Sequence, residues 1–312
     1  MKKMMTKYIK AVLFIACTII ALAIPSSASA GVCDKTLNVG GNLQGFVSSL
    51  QSNETGCLQT GIYPAPVTIS TPYTTLRSVP GQERATISGG QIRIAPSAYG
   101  ARLDKLKMIT PSTTLSPLIY ASEATISNSD ITGPSICVIV DVYPPSPIPY
   151  RVKIVNNYIH DCGHFPPTNY DHGIYLSDSN GAIIKNNVIV RNADRGIQLY
   201  SNANDSRIIG NVIDSNGEGI IFGDYSTNNL VRGNFISNPL LRFGVEAISF
   251  PGVENIVKNN CTWTPQLGYY AGVPLGSGIM PVTNGFTAIN NIVEQPNYEN
   301  GYDQATCGSE IP

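Results

Sequence analysis

The chain is short of several things that would define its class. Beyond the first 30 residues it has no apolar run long enough to span a bilayer, which excludes an internal helical membrane anchor. It has no Cys-x-x-Cys pair, the close spacing that a structural zinc site favours. It has no basic excess: four of its 20 Lys and Arg residues (Lys2, Lys3, Lys7, Lys10) lie in the N-terminal segment, leaving 16 against 21 acidic residues, a formal charge of −5. That balance argues against a nucleic-acid-binding surface, although a local cationic groove for an anionic sugar remains compatible with it. Histidine is scarce, with three copies, and tryptophan occurs once.

The N-terminal segment reads as a secretory signal peptide over residues 1–30. Its lysines are followed by the apolar stretch Ala11 to Ile24 and by the small-residue site Ala28-Ser29-Ala30. Residues 31–312 are then one exported domain. The six cysteines left in it, Cys33, Cys57, Cys137, Cys162, Cys261 and Cys307, are an even number in an oxidising context and point to three disulfides. Connectivity is open from sequence, and the spacing favours pairing in order.

What the chain has in abundance is repetition. An aliphatic residue, two others, an asparagine, one more residue and usually a second aliphatic recur six times between Val152 and Val293, beginning with Ile154-Val155-Asn156-Asn157-Tyr158-Ile159. The asparagines Asn157, Asn187, Asn211, Asn234, Asn260 and Asn291 are 30, 24, 23, 26 and 31 residues apart. Gly173-Ile174, Gly196-Ile197, Gly219-Ile220 and Gly244-Val245 keep step at intervals of 23, 23 and 25. Fixed periods in this range mark a stacked repeat. Each unit is too short for two helices and alternates like short strands, so the expectation is an all-β solenoid of about ten coils. Its asparagines would bond their copies about 4.8 Å above and below. Ile154, Ile184, Ile208, Val231 and Val257 would form one inward column, and Ile159, Ile189, Ile213 and Ile236 another. An antiparallel sandwich is the competing architecture and would leave the registered asparagines as coincidence.

The ends and interruptions fit this scheme. Asn42 to Leu50 places Leu43, Phe46, Val47 and Leu50 at helical spacing behind an Asn N-cap, a short helix to cover the open end of the stack. Strand-like pieces follow at Gly61–Tyr63, Val67–Ser70, Thr74–Ser78, Ala85–Ser88, Ile92–Ala95 and Leu103–Ile109. Tyr143 to Tyr150, His164 to Tyr170, and Thr262 to Phe286 with Trp263, Tyr269 and Tyr270 break the period. They are expected as stiff aromatic loops at the turns, suited to stacking sugars or to plugging the end of the stack.

These features together resemble the pectate-lyase-like superfamily of right-handed parallel β-helices. The segment from Asn157 to Asn216 is most similar to bacterial carbohydrate-active repeats, including uronan lyases and mannuronan epimerases. The resemblance implies a single-stranded right-handed parallel β-helix and an extracellular polysaccharide as partner. It carries over no catalytic residue: the pectate-lyase arginine motif, the polygalacturonase aspartate and Gly-His-Gly set and the epimerase Asp-Pro-His motif are all absent. A secreted monomer without a required cofactor is expected, with Ca2+ compatible.

Candidate chemistry comes from the residues themselves. His160, His164 and His172 fall within 13 residues, beside Asp161, Asp171 and Tyr170. Aligning the Gly-Ile markers stacks His172, Arg195 and Glu218, sets Asp171 over Asp194, and stacks Tyr175, Gln198, Ile221 and Glu246; Tyr200 follows along the same strand. A histidine is the natural base near neutrality, so His172 is the expected proton acceptor, with Arg195 gripping a uronate carboxylate and Tyr175 or Tyr170 as donor. Asp171 with Asp194 or Glu218 is the carboxyl pair that hydrolysis would need. Three readings stay open: β-elimination or epimerisation, hydrolysis, and a binding solenoid whose column is a surface charge ladder. The histidine spacing matches no helical zinc motif.

Overall fold

The computed structural model describes residues 32–111, 115–250, 252–265, 269–270, 273–274, 278–280, 285–299, 301–302 and 305–307; the expected signal peptide lies outside them. From Cys33 onward the chain winds as a right-handed parallel β-solenoid of about nine turns, slightly fewer than the ten expected because the coils at both ends are incomplete. Each full coil gives one strand to each of three parallel sheets. The first sheet runs from Lys35–Leu37 to Thr287–Ile289, the second from Ile62–Pro64 to Ile292–Val293, and the third from Val67–Ile69 to Val245–Ile248.

The expected columns are present. Ile154 pairs with Ile184, Ile184 with Ile208, Ile208 with Val231, and Val231 with Val257 in the first sheet. Ile159, Ile189, Ile213 and Ile236 align in the second. All are buried in one continuous core, each contributing roughly 1.5–3 kcal/mol of apolar burial.

The turn between these two sheets carries the asparagine ladder. The Asn211 Nδ2 donates to Asn234 Oδ1 at 2.9 Å and to the Ile184 carbonyl at 3.0 Å. Its own Oδ1 accepts from the Asn187 backbone N–H and Nδ2, both at 2.9 Å. Asn157, Asn187, Asn234 and Asn260 repeat this arrangement up to Asn291. The residue before each ladder asparagine has positive φ: Asn156, Asn186, Gly210, Gly233, Asn259 and Asn290 lie between 51° and 64°. Only Gly and Asn tolerate that corner well, which explains why the motif reads Asn-Asn or Gly-Asn. Two shorter ladders at the other corners are not evident from the sequence period: Asn192 to Asn216 at 2.7 Å, and Asn229 to Asn255 at 2.9 Å.

The N-terminal helix forms over Leu43–Ser48, with the Asn42 side chain accepting from the Gly45 N–H and with Leu43 and Val47 buried against the stack. The degenerate coils fall where expected, except that Leu103–Ile109 divides into Arg102–Asp104 and Lys107–Ile109 around the positive-φ residue Lys105. Disulfides join Cys33–Cys57, Cys137–Cys162 and Cys261–Cys307. The third aromatic insert starts later than expected: Cys261–Trp263 is a regular strand of the second sheet, paired with Phe235–Ser237, because buried Thr262 continues the inward column of Ile236. Part of that insert lies outside the described residues. No described helix is long and apolar enough to cross a membrane.

The interior ladder has a measurable consequence. Asn211→Leu takes bonding partners from Asn187 and the Ile184 carbonyl on the coil before and from Asn234 on the coil after, so a loss of about 1–3 kcal/mol is expected. Asn291→Leu, at the partly exposed end of the ladder, should cost less. Thermal denaturation of the two variants checks the order, and equal melting temperatures would contradict it.

Candidate functional site

The glycine in each Gly-Ile marker lies where the next coil comes closest. A Cβ on Gly219 would sit 2.0 Å from the Gly244 carbonyl oxygen, so only glycine lets the third sheet turn this corner. That fixes the register of what flanks it. Arg195 pairs with Glu218, and Tyr175, Gln198, Ile221 and Glu246 stand in one column, as the alignment of the markers anticipates.

The flanking charged residues are buried, not arrayed as a solvated surface ladder. Arg195 donates from Nε to Glu218 at 3.1 Å, from Nη1 to Asp194 at 3.1 Å and Gln198 at 3.4 Å, and from Nη2 to Asn169 at 3.4 Å. Of the five guanidinium hydrogens, these bonds leave one on Nη2 for a ligand. The fork expected to grip a carboxylate with two bonds is therefore already committed. Arg242, which the sequence reading missed, bridges Glu218 and Glu246; carrying the Asp171–Asp194 column through Gly217 to the fourth marker would have placed it in that column, two coils beyond Asp194. Burial pushes Asp194 up to about 6 against the pull of Arg195, and burial with the Glu218 charge pushes Glu246 up to about 7.

His172 lies beneath this network. It is 1% exposed, its Nδ1 is 3.3 Å from Asp194 Oδ2, its ring meets Tyr175 edge-on at 5.7 Å, and it bonds the Asn169 backbone. Burial, reinforced by the Arg195 charge, lowers its pKa to about 3, so it is neutral at physiological pH.

The three histidines, close in sequence, are separated in space. His160 lies on the second sheet, stacked on Tyr158 at 4.0 Å and held between Asp130 at 3.1 Å and Asp161 at 2.6 Å. Burial disfavours its charge, but the two carboxylates outweigh it and raise its pKa; Asp161 is in turn bound by Arg191. His160 and Asp161 are thus not part of the third-sheet constellation. His164 is: its Nδ1 lies 2.9 Å from Asp171 Oδ1, and its side chain is 59% exposed. Burial would raise the Asp171 pKa, yet bonds from the Thr168 N–H and hydroxyl and from the His164 N–H hold it below the usual carboxylate range. These bonds close the proline-rich loop over residues 164–170.

Above the network is a cavity of about 340 Å³ lined by Asn169, Tyr170, Tyr175, Arg195, Gln198, Tyr200, Ile248 and Ser249. Among the described residues no histidine and no carboxylate lines it. Tyr170 projects from the loop, largely exposed, and burial with the Asp141 charge raises Tyr175 to about 12. A larger cavity of about 660 Å³, lined by Tyr158, Phe235 and Tyr302, sits at the asparagine turn.

The class defined by this architecture is the right-handed parallel β-helix. The chain is similar to a pectate lyase, Pel9A (13% identity, 85% of this chain and 80% of that one, TM-score 0.54). It is also similar to ORF18 of Geobacillus virus E2 (13%, 84% and 62%, TM-score 0.56) and to the pectin methylesterase from carrot (11%, 85% and 90%, TM-score 0.50). A family model described as periplasmic copper-binding protein (NosD) matches residues 147–244. No curated protein matches the sequence significantly. The donor set does not fit a copper centre: the three histidines lie apart, each engaged by its own carboxylate partners, and among the described residues no group of three or more His, Cys, Asp or Glu side chains is arranged to hold a metal ion.

The buried histidine has a signature in stability. In the unfolded chain it takes a proton below about 6.5, whereas in the fold it resists protonation down to about 3. Its contribution is therefore full above 6.5 and lost as the pH falls through that window. His172→Gln, which cannot protonate, should cost less stability at pH 4.5 than at pH 7.5. Denaturant melts at the two pH values check this, and a cost independent of pH would contradict the buried neutral imidazole.

Proposed function

We propose that this chain is an exported enzyme that cleaves a uronate-containing polysaccharide by β-elimination. One observation carries the reading: among the described residues the cavity on the third sheet is lined by a guanidinium, amides and three tyrosines, and by no carboxylate. Hydrolysis by the usual route needs two carboxyl groups flanking the scissile bond. Here Asp194, Glu218 and Glu246 are turned into the salt-bridge network instead. Export agrees with the three disulfides and a polysaccharide with the pectate lyase and pectin methylesterase among similar folds.

In this reading Arg195 gives its remaining Nη2 hydrogen and its charge to the uronate carboxylate, which acidifies the adjacent C–H. His164 takes that proton. The released pair forms the new carbon–carbon double bond, the bond to the departing sugar oxygen breaks, and Tyr175 protonates that oxygen. Tyr175, with its raised pKa, is a donor and not a base at neutral pH. His164 replaces His172 as base on grounds of access: a base must touch substrate, and its ring, outside the cavity lining but open to solvent and oriented by Asp171, is on the same loop as the cavity-lining Asn169 and Tyr170, where a polymer extending past the cavity can meet it. His172 positions Tyr175. Arg195 supplies the positive charge, so calcium is not required.

Absorbance of the unsaturated product on a panel of uronans tests this. Tyr175→Phe and His164→Asn should each lower turnover by about 10²–10⁴, Arg195→Ala should chiefly weaken uronate binding, and a chelator should leave the rate unchanged. Loss of activity in His172→Gln with a fully active His164→Asn would overturn the assignment of the base. New reducing ends without unsaturation would overturn elimination.

A further inference from the structure

A second cavity, of about 550 Å³, lies beside the first and shares Ser249 with it. Its chemistry is different. Tyr225 and Phe250 form a stacked pair, centroids 5.8 Å apart and planes 5° apart, yet both are mostly exposed, at 58% and 65%. Val253, also exposed, and Glu254 line the same cavity, and among the described residues no Lys, Arg or His does. The pair is held by backbone geometry: the Tyr225 N–H donates to the Phe250 carbonyl at 2.7 Å, and Tyr225 and Ser249 both have positive φ. Large apolar faces kept in water by a constrained turn are a stacking surface awaiting an occupant. The apolar C–H face of a pyranose suits it, and Glu254 would accept hydroxyl hydrogens while repelling a carboxylate.

Taking the first cavity as a uronate site, as the proposed function does, we infer that the contiguous second cavity binds a neutral sugar of the same chain, so that the substrate is a mixed polymer in which uronate and neutral residues adjoin. The two cavities read charge in sequence: a cation and no carboxylate in one, a carboxylate and no cation in the next. The shared Ser249 makes them neighbouring subsites of one ligand.

The test compares polygalacturonate, a homopolymeric uronan, with two alternating polymers, hyaluronan and a rhamnogalacturonan backbone, by affinity electrophoresis and by elimination rate. At least one alternating polymer is expected to be preferred over polygalacturonate. The double variant Tyr225→Ala/Phe250→Ala should lose that preference by about tenfold in KM, with kcat unchanged. Glu254→Gln should improve binding of polygalacturonate. Equal use of all three polymers, or a preference that survives the double variant, would overturn the neutral subsite. Binding is read without catalysis, so the two readings fail separately. If Arg195→Ala abolishes binding while the double variant changes nothing, the uronate site stands and the neutral subsite falls. If Arg195→Ala binds normally while the double variant loses the alternating polymer, the neutral subsite stands and the uronate site falls.

Discussion

Everything in this molecule depends on keeping neighbouring coils in register at one strand spacing. Backbone bonds within the sheets do this along the flat faces, but the corners have no sheet to continue the pattern. There the side-chain amide takes over, because it carries the same donor and acceptor as a peptide group. Asn187, Asn211 and Asn234 act as a peptide link turned through the coil axis, each bonded on both sides and also to the backbone of the coil before. A slip of one residue would break this column and turn the isoleucine columns outward together. Apolar burial and amide bonding therefore specify one register, and the functional columns inherit it.

The candidate site uses that inheritance. A polar column on the third sheet needs no loop to bring its members together, since Arg195 and Glu218 are neighbours by register alone. The irregular segments supply cover. The loop over residues 164–170 places Asn169 against Arg195 and Tyr170 over the cavity, and the turn before Gly244 brings Arg242 to Glu218. The ion network is thereby removed from water, which is why Asp194, Glu246 and His172 depart from their ordinary acidities while Arg195 stays in a fixed orientation. Rigid placement of a single cation is worth more to an anionic ligand in such a setting than a mobile one in water.

Much of this was legible in the sequence, and the division follows periodicity. The Gly-Ile markers gave the pairing of Tyr175 with Gln198 and of Arg195 with Glu218, and the asparagine spacing gave the inward columns. Burial of His172 was not legible, because the covering loop follows no period and its proline-rich sequence says nothing of which coil it folds over. The placing of His160 and His172 on different sheets was not legible for a related reason: closeness in sequence does not carry over to space where a strand of the second sheet and one of the third face different directions. The ladders at Asn192 and Asn229 run over too few coils to register as repeats.

The glycine column at the corner of the third sheet sets how such a site can change. Because Gly196, Gly219 and Gly244 admit no side chain where coils meet, the coils cannot be prised apart or tilted to widen the strip by fractions. Duplication or deletion of a whole coil preserves every column and alters the strip by one strand spacing, about 4.8 Å. The length of this face is therefore quantised, and lineages sharing this architecture would differ in it by whole steps.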